Sequence, residues 1–238
     1  MEDNIIQFYS WGSGHDTNLA PMAAKKHVAP YWKNMPMFHG EGDEEKFKNK
    51  TANRSNVFLS LKHCMPYFDA MTAGYHYVLH TDTEVYLENG LPKLKWSSPV
   101  EPAGDRVLKE MPVPHGHYPA HFGWQMYWGF ELPEGYSALI THPINRYDLP
   151  FTTVSGLVDY DIYPLPGNVS FHIKNNFEGI IEAGTPIMSI IPVKRENWKS
   201  VINQDTDFFQ KKMDLIKEKE SVPMAHYKKG YRIGMEFN

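Results

Sequence analysis

The sequence predicts a mostly β chain, and three observations carry that prediction. From Phe130 onward, short apolar runs recur between Gly, Pro and Asn turns with no helical pattern between them. Upstream, "YHYVLHTDTEVYLENG" alternates, is rich in β-branched and aromatic residues, and stops at Asn89-Gly90, a strong hairpin signal. A sustained helical period appears only near the end, in "DTDFFQKKMDLIKEKE".

Taken in order, residues 1–56 read as an N-terminal extended arm and loop. "YWKNMPMF" supplies an aromatic arm, and the mixed-charge run from Gly40 to Asn56 lacks apolar periodicity. The core spans 57–200. It opens with "VFLSLKHCMPYFDAM", a short strand followed by a helical turn at Pro66. The alternating run follows, and "LPKLKW" returns as its hairpin partner. After a polar segment from Ser97 to Met111, strands are expected in "FELPEGYSALITHPI", "FTTVSGLVDYDIY", "NVSFHIKNNFEG" and "TPIMSIIPV", giving an antiparallel sandwich or barrel. Residues 201–238 form one C-terminal helix and a basic aromatic tail. Phe208, Phe209, Met213 and Ile216 share a helix face, and Asp205 or Thr206 caps it.

Composition narrows the function classes. Of the 238 residues 42% are hydrophobic, enough to offset the entropy of ordering a core. A formal net charge of −4 gives no strong nucleic-acid signature, because non-specific binding is driven by phosphate neutralisation. A single cysteine, Cys64, excludes an intrachain disulfide and a Cys-only zinc site. No run of 18 apolar residues suggests a membrane span, and "MEDNIIQFYSWGSGHD" lacks a secretion signal's basic and apolar regions. The expected location is the cytoplasm.

Four pieces in order resemble the dUTPase and dCTP deaminase superfamily, whose fold is a β-clip or distorted jelly roll. They are "TAGYHYVL" from Thr72, "LPEGYSALITHPI" from Leu132, "SGLVDYD" from Ser155, and "IIEAGTPIMSIIPV" from Ile180, with Asn175 fitting the asparagine that ends the preceding strand. The stretches from Lys62 onward also resemble a group of phage and bacterial proteins with no assigned activity. The resemblance implies a homotrimer, located in the host cytoplasm if the chain is phage-borne, and a nucleotide ligand bound at a remodelled site. It implies no particular cofactor.

The implied site residues depart from the family pattern. His142 falls where the family's phosphate-gripping arginine-serine pair would lie, and Arg146 is a nearby substitute. The first-motif carboxylate corresponds to His76, and an imidazole suits magnesium poorly. The deaminase general base corresponds to His172. Asp159 is kept; in dUTPases this aspartate is thought to orient or activate water, and its other reading here is a turn cap. Asp161 and Tyr163 complete the set on the same hairpin.

Other constellations remain open. His115, His117 and His121 in "PHGHYPAH" suit a cupin-like metal enzyme if the segment is a strand, or an exposed loop if its two prolines and glycine break it. "HTD" at His80 to Asp82 mimics part of an oxygenase facial triad, a pattern that also arises by chance. Trp124, Tyr127, Trp128 and Phe130 form either a base-stacking platform or core. "KKGYR" at Lys228 to Arg232 is a docked or disordered terminus, loosely placed like a dUTPase closing arm. Three functions follow: a nucleotide-binding or nucleotide-hydrolysing protein, a non-catalytic structural or interaction protein that keeps the fold, and a metal-dependent enzyme.

Overall fold

A computed structural model describes residues 4–10, 19–40, 42–48, 58–106, 111–219, 227 and 232–238. The chain divides into two compact units. The first comprises Met1–Val28, Met71–Arg195 and Phe237–Asn238, the second Ala29–Ala70 and Glu196–Glu236.

The first unit is built from antiparallel sheets, with no closed barrel among the described residues. One five-stranded sheet runs in the order Gly156–Val158, Tyr136–Thr141, Pro186–Lys194, Tyr75–Val78, Met22–Ala23. A four-stranded sheet runs Phe151–Thr153, Asn168–Lys174, His117–Gln125, Ala103–Asp105. Alternation along these strands sends one face of each inward. The core therefore draws on both sheets, with Ala138, Ile140 and Ile190 from the first and Phe122, Trp124, Phe151, Phe171 and Ile173 from the second. Trp124 stacks on Phe171 at 3.5 Å between ring centroids and meets Phe151 edge-on at 5.1 Å.

A buried hydrogen-bond chain ties the two sheets together. Ile187 falls in the register shift between Pro186 and Met188, and beyond the last pair made with Tyr136–Thr141, so its carbonyl lacks a ladder partner. The Thr153 hydroxyl donates to that carbonyl at 2.5 Å and accepts from Trp124 Nε1 at 3.1 Å. A buried carbonyl must be satisfied somewhere, and here a side chain from the opposite sheet does it.

The expected hairpin is present. Thr83–Glu88 pairs with Leu91–Trp96, and Asn89 and Gly90 take φ of 53° and 77°, the left-handed pair that a two-residue turn needs. The alternating run is not one strand, however. It breaks at Leu79 into Tyr75–Val78 and Thr83–Glu88, which lie in different sheets. The Leu79 N–H donates to the Thr185 carbonyl, and the Leu79 carbonyl accepts from Gly184 N–H. Asp82 accepts from Ala183 N–H at 2.7 Å. A turn a hundred residues downstream thus captures the chain and redirects it.

The second unit holds the short helices Pro30–Asn34, Asp43–Lys48 and most of Met65–Met71, and the longer helix Thr206–Lys219. Trp32 stacks on Tyr67 and Phe68, each at 5.5 Å. Part of the run expected as loop is the Asp43–Lys48 helix. Its acidic residues sit in the first turn and its lysines in the last, matching the helix dipole, and Glu44 pairs with Lys48. Asp205 caps the last helix, accepting from Phe208 N–H at 3.0 Å. Arg232 ion-pairs with Asp69 at 2.6 Å, while Lys228 to Tyr231 of the basic tail lie outside the described residues. No helix among the described residues is long and apolar enough to cross a membrane.

Candidate functional site

The residues expected to form one site fall into three groups. The first is the turn after Gly156–Val158. Asp159 closes it, its carbonyl accepting from the backbone N–H of Ile162 at 3.1 Å and Tyr163 at 2.9 Å. Tyr160 turns inward and stacks on Phe130 at 3.8 Å, which leaves Asp159 and Asp161 flanking the neighbouring strand end. Ser137 Oγ donates to Asp159 at 2.6 Å, and Gly135 N–H donates to Asp161 at 2.9 Å.

Arg195, at the end of the Pro186–Lys194 strand, grips Asp161 with both terminal nitrogens, one of them at 2.8 Å, and lies 3.3 Å from Asp159. It is positioned by its own N–H on Gly135 O and by a bond to Tyr136 O at 3.0 Å. The Arg195 hydrogen bonds hold the Asp161 carboxyl down to about 2, and its side chain is 4% exposed. Asp161 is therefore an anion committed to a cation. Asp159 is the more open of the two, its side chain 56% exposed.

Two clefts adjoin this turn. One of about 360 Å³ is lined by Asp161, Glu131, Glu134 and Gln7 with Leu132 and Pro133. The other, of about 420 Å³, lies between Tyr127 and Tyr163, with Met126, Leu165 and Pro166 as apolar walls and the amides of Gln125 and Asn168 at its rim. Tyr127 is fixed by donating its hydroxyl to Glu101 O at 2.5 Å, and Tyr163 is exposed. Trp124 and Phe130 belong to the core.

The second group joins His76, His142 and Arg146. His76 is fully buried in Tyr75–Val78, stacked on His27 at 5.5 Å, and burial pushes its pKa down to about 3. His142 accepts at Nδ1 from Thr153 N–H at 3.3 Å and donates from Nε2 to Arg146 O at 3.1 Å, which defines a neutral tautomer. Burial lowers it to about 4. Arg146 is buried and engages Asp148 through Nε and Nη2, both at 2.9 Å, and His27 O through Nη1 at 3.3 Å. Its guanidinium is already occupied on the faces a phosphate would need.

The third group forms across paired strands. His172 lies opposite His121, with ring centroids 5.2 Å apart, and His117 is 6.3 Å from His172. His172 is buried, which lowers its pKa, and its Nδ1 faces Tyr118 O at 3.4 Å. His115 does not join them. Gly116 at φ 78° breaks the alternation, the strand begins at His117, and His115 contributes only its carbonyl, 3.0 Å from His117 Nδ1. His117 Nε2 meets Thr152 Oγ1 at 2.8 Å. Among the described residues no group of three or more His, Cys, Asp or Glu is placed to hold a metal ion. His80 and Asp82 are likewise structural, His80 bonding to Val100 O at 3.0 Å.

Sequence reasoning missed Arg195, Ser137, Asp148 and Thr153. Only Asp148 carried a local signal, an acid two residues from Arg146. The others are joined to their partners by strand register alone, such as Tyr136 opposite Lys194. No protein-family model matches the chain, and no curated protein matches it.

Proposed function

We propose that this chain is a non-catalytic interaction or structural protein of dUTPase-like, β-clip lineage, acting in the cytoplasm as a homotrimer. The observation that carries the reading is the Asp161–Arg195 clasp. Asp161 accepts three hydrogen bonds, two from Arg195 and one from Gly135 N–H, and its side chain is 4% exposed, which leaves at most one acceptor site and little room for a water or a metal. Arg146 is equally committed to Asp148. The second unit meanwhile exposes Trp198, Val201, Ile202, Phe208 and Phe209, large apolar side chains that an assembly partner would cover.

A second reading is nucleotide binding in the cleft between Tyr127 and Tyr163, favoured by its two rings and two rim amides. One pair of measurements separates the readings. Light scattering on purified full chain is expected to give about three times the 27.5 kDa chain mass. A thermal-shift screen with millimolar nucleoside triphosphates is expected to show no stabilisation. Ligand at a hundred times Kd would add about 2.7 kcal/mol, so a clear shift or any released product overturns the non-catalytic reading in favour of the second. A monomer by scattering removes the assembly from it.

A further inference from the structure

His76 is an anomaly. It is wholly buried, and neither ring nitrogen has a hydrogen-bond partner. Native structures rarely leave such a group unsatisfied without a reason. The charged groups acting on it among the described residues are His27, His142 and Arg146. His27 stacks on it from the Ala24–His27 turn, and His142 and Arg146 act on it from the loop that follows Tyr136–Thr141. The neighbouring Pro186–Lys194 strand presents Ser189 opposite it. Asp148, which acts on His142, is spent on Arg146, and Lys174 adds a further positive influence on His142.

The segment covering His76 is the most lightly held in the sheet. Met22–Ala23 pairs with it over only two residues, Met22 against His76 and Ala23 against Tyr75. Ala24 N–H donates to Gly74 O at 3.0 Å, and Arg146 donates to His27 O at 3.3 Å. Lys25 Nζ donates to Asn238 Oδ1 at 2.7 Å, and among the described residues no ladder as long as that between Tyr136–Thr141 and Pro186–Lys194 secures the segment.

We propose that the His27, His76, His142 and Arg146 cluster is an acid-released latch on the edge segment Met22–His27. At neutral pH the imidazole of His76 is uncharged and the segment lies over it. A cation at buried His76 would sit beside His27, His142 and Arg146, so in acid His76 takes its proton once the segment has left. Departure of the two-residue edge strand takes His27 away and lets water reach His76, and this relieves the charge with the fewest hydrogen bonds broken.

Hydrogen exchange on the full chain tests this, with rates corrected for the intrinsic effect of pH. A free imidazole takes its proton near 6.5, whereas buried His76 resists to about 3, so the open form gains about 30-fold in population between pH 7.5 and 5.0. Protection across 19–28 is expected to fall by about that factor, while strands His117–Gln125 and Asn168–Lys174 keep theirs. His76→Phe, which keeps a ring but cannot titrate, is expected to hold protection at pH 5.0. Unchanged protection in the native chain, or an equal loss in the variant, overturns the latch. Should the variant not fold, the imidazole resonances of the native chain decide. If His76 takes up a proton near pH 6.5 with 19–28 still protected, the proposal fails.

Discussion

Thr153→Val is the sharpest test of how the two sheets are joined. The substitution is nearly isosteric and removes one hydroxyl at a site that is 2% exposed. That hydroxyl makes two bonds, to Ile187 O and from Trp124 Nε1, and both partners are buried. Each partner is stranded, since Ile187 lies in the register shift and the Trp124 ring is closed in by Phe151 and Phe171. Leaving a buried donor or acceptor unsatisfied costs about 1–3 kcal/mol, so two give roughly 2–6 kcal/mol. The added methyl returns about 0.8 kcal/mol. A net loss of about 3 kcal/mol corresponds to a fall in Tm of about 6–12 °C for a chain of this length. Calorimetry measures it, with urea unfolding to show that the midpoint moves and the slope does not. A Tm within about 2 °C of the native value would refute the bridging role of Thr153.

Gly74→Ala is expected to unfold or severely destabilise the chain, because φ is +72° and a Cβ would lie 2.2 Å from Ile190 O, in the backbone of the paired strand. Gly90→Ala is the control, with similar φ and nothing within 4 Å, and is expected to cost about 1 kcal/mol. Thermal melts of the two separate the close approach from the turn conformation. A comparable Tm for both would show that the approach at Gly74 is not limiting. Arg195→Gln is expected to raise the Asp161 pKa from about 2 toward the ordinary carboxylate value, read by carboxyl carbon shifts in NMR. The sign follows from the depressed pKa. The clasp contributes fully above about pH 4 and loses its contribution as pH falls toward 2, so native and variant Tm values differ at pH 6 and converge in acid. An Asp161 that stays near 2 without Arg195 would show that Gly135 N–H and the turn alone hold it down.

How much of this was legible depends on the range of the interaction. The Asn89-Gly90 hairpin was readable because its cause is local, two residues at positive φ between alternating runs. So were most strands between Phe130 and Lys194, whose period and turn residues lie within each segment, although "FTTVSGLVDYDIY" holds two, Phe151–Thr153 and Gly156–Val158, in different sheets. The break at Leu79 was not, since the bonds that make it come from Thr185 and Gly184, and within residues 75–88 the pattern reads as one strand. The Asp43–Lys48 helix escaped because it has charge order without an apolar stripe.

The same distinction governs the candidate site. "GLVDYDIY" marked the place of a tight turn correctly, and both alternatives for Asp159 rested on its being there. What the motif could not supply is the partner of its carboxylates. Arg195 is 34 residues from Asp161 and reaches it only because Tyr136–Thr141 pairs with the strands carrying both. A carboxylate on such a turn serves a ligand when its field is left open and a clasp when a cation is delivered to it by register. In this chain the register delivers Arg195, and the chemistry available to Asp161 is set by that pairing rather than by the motif.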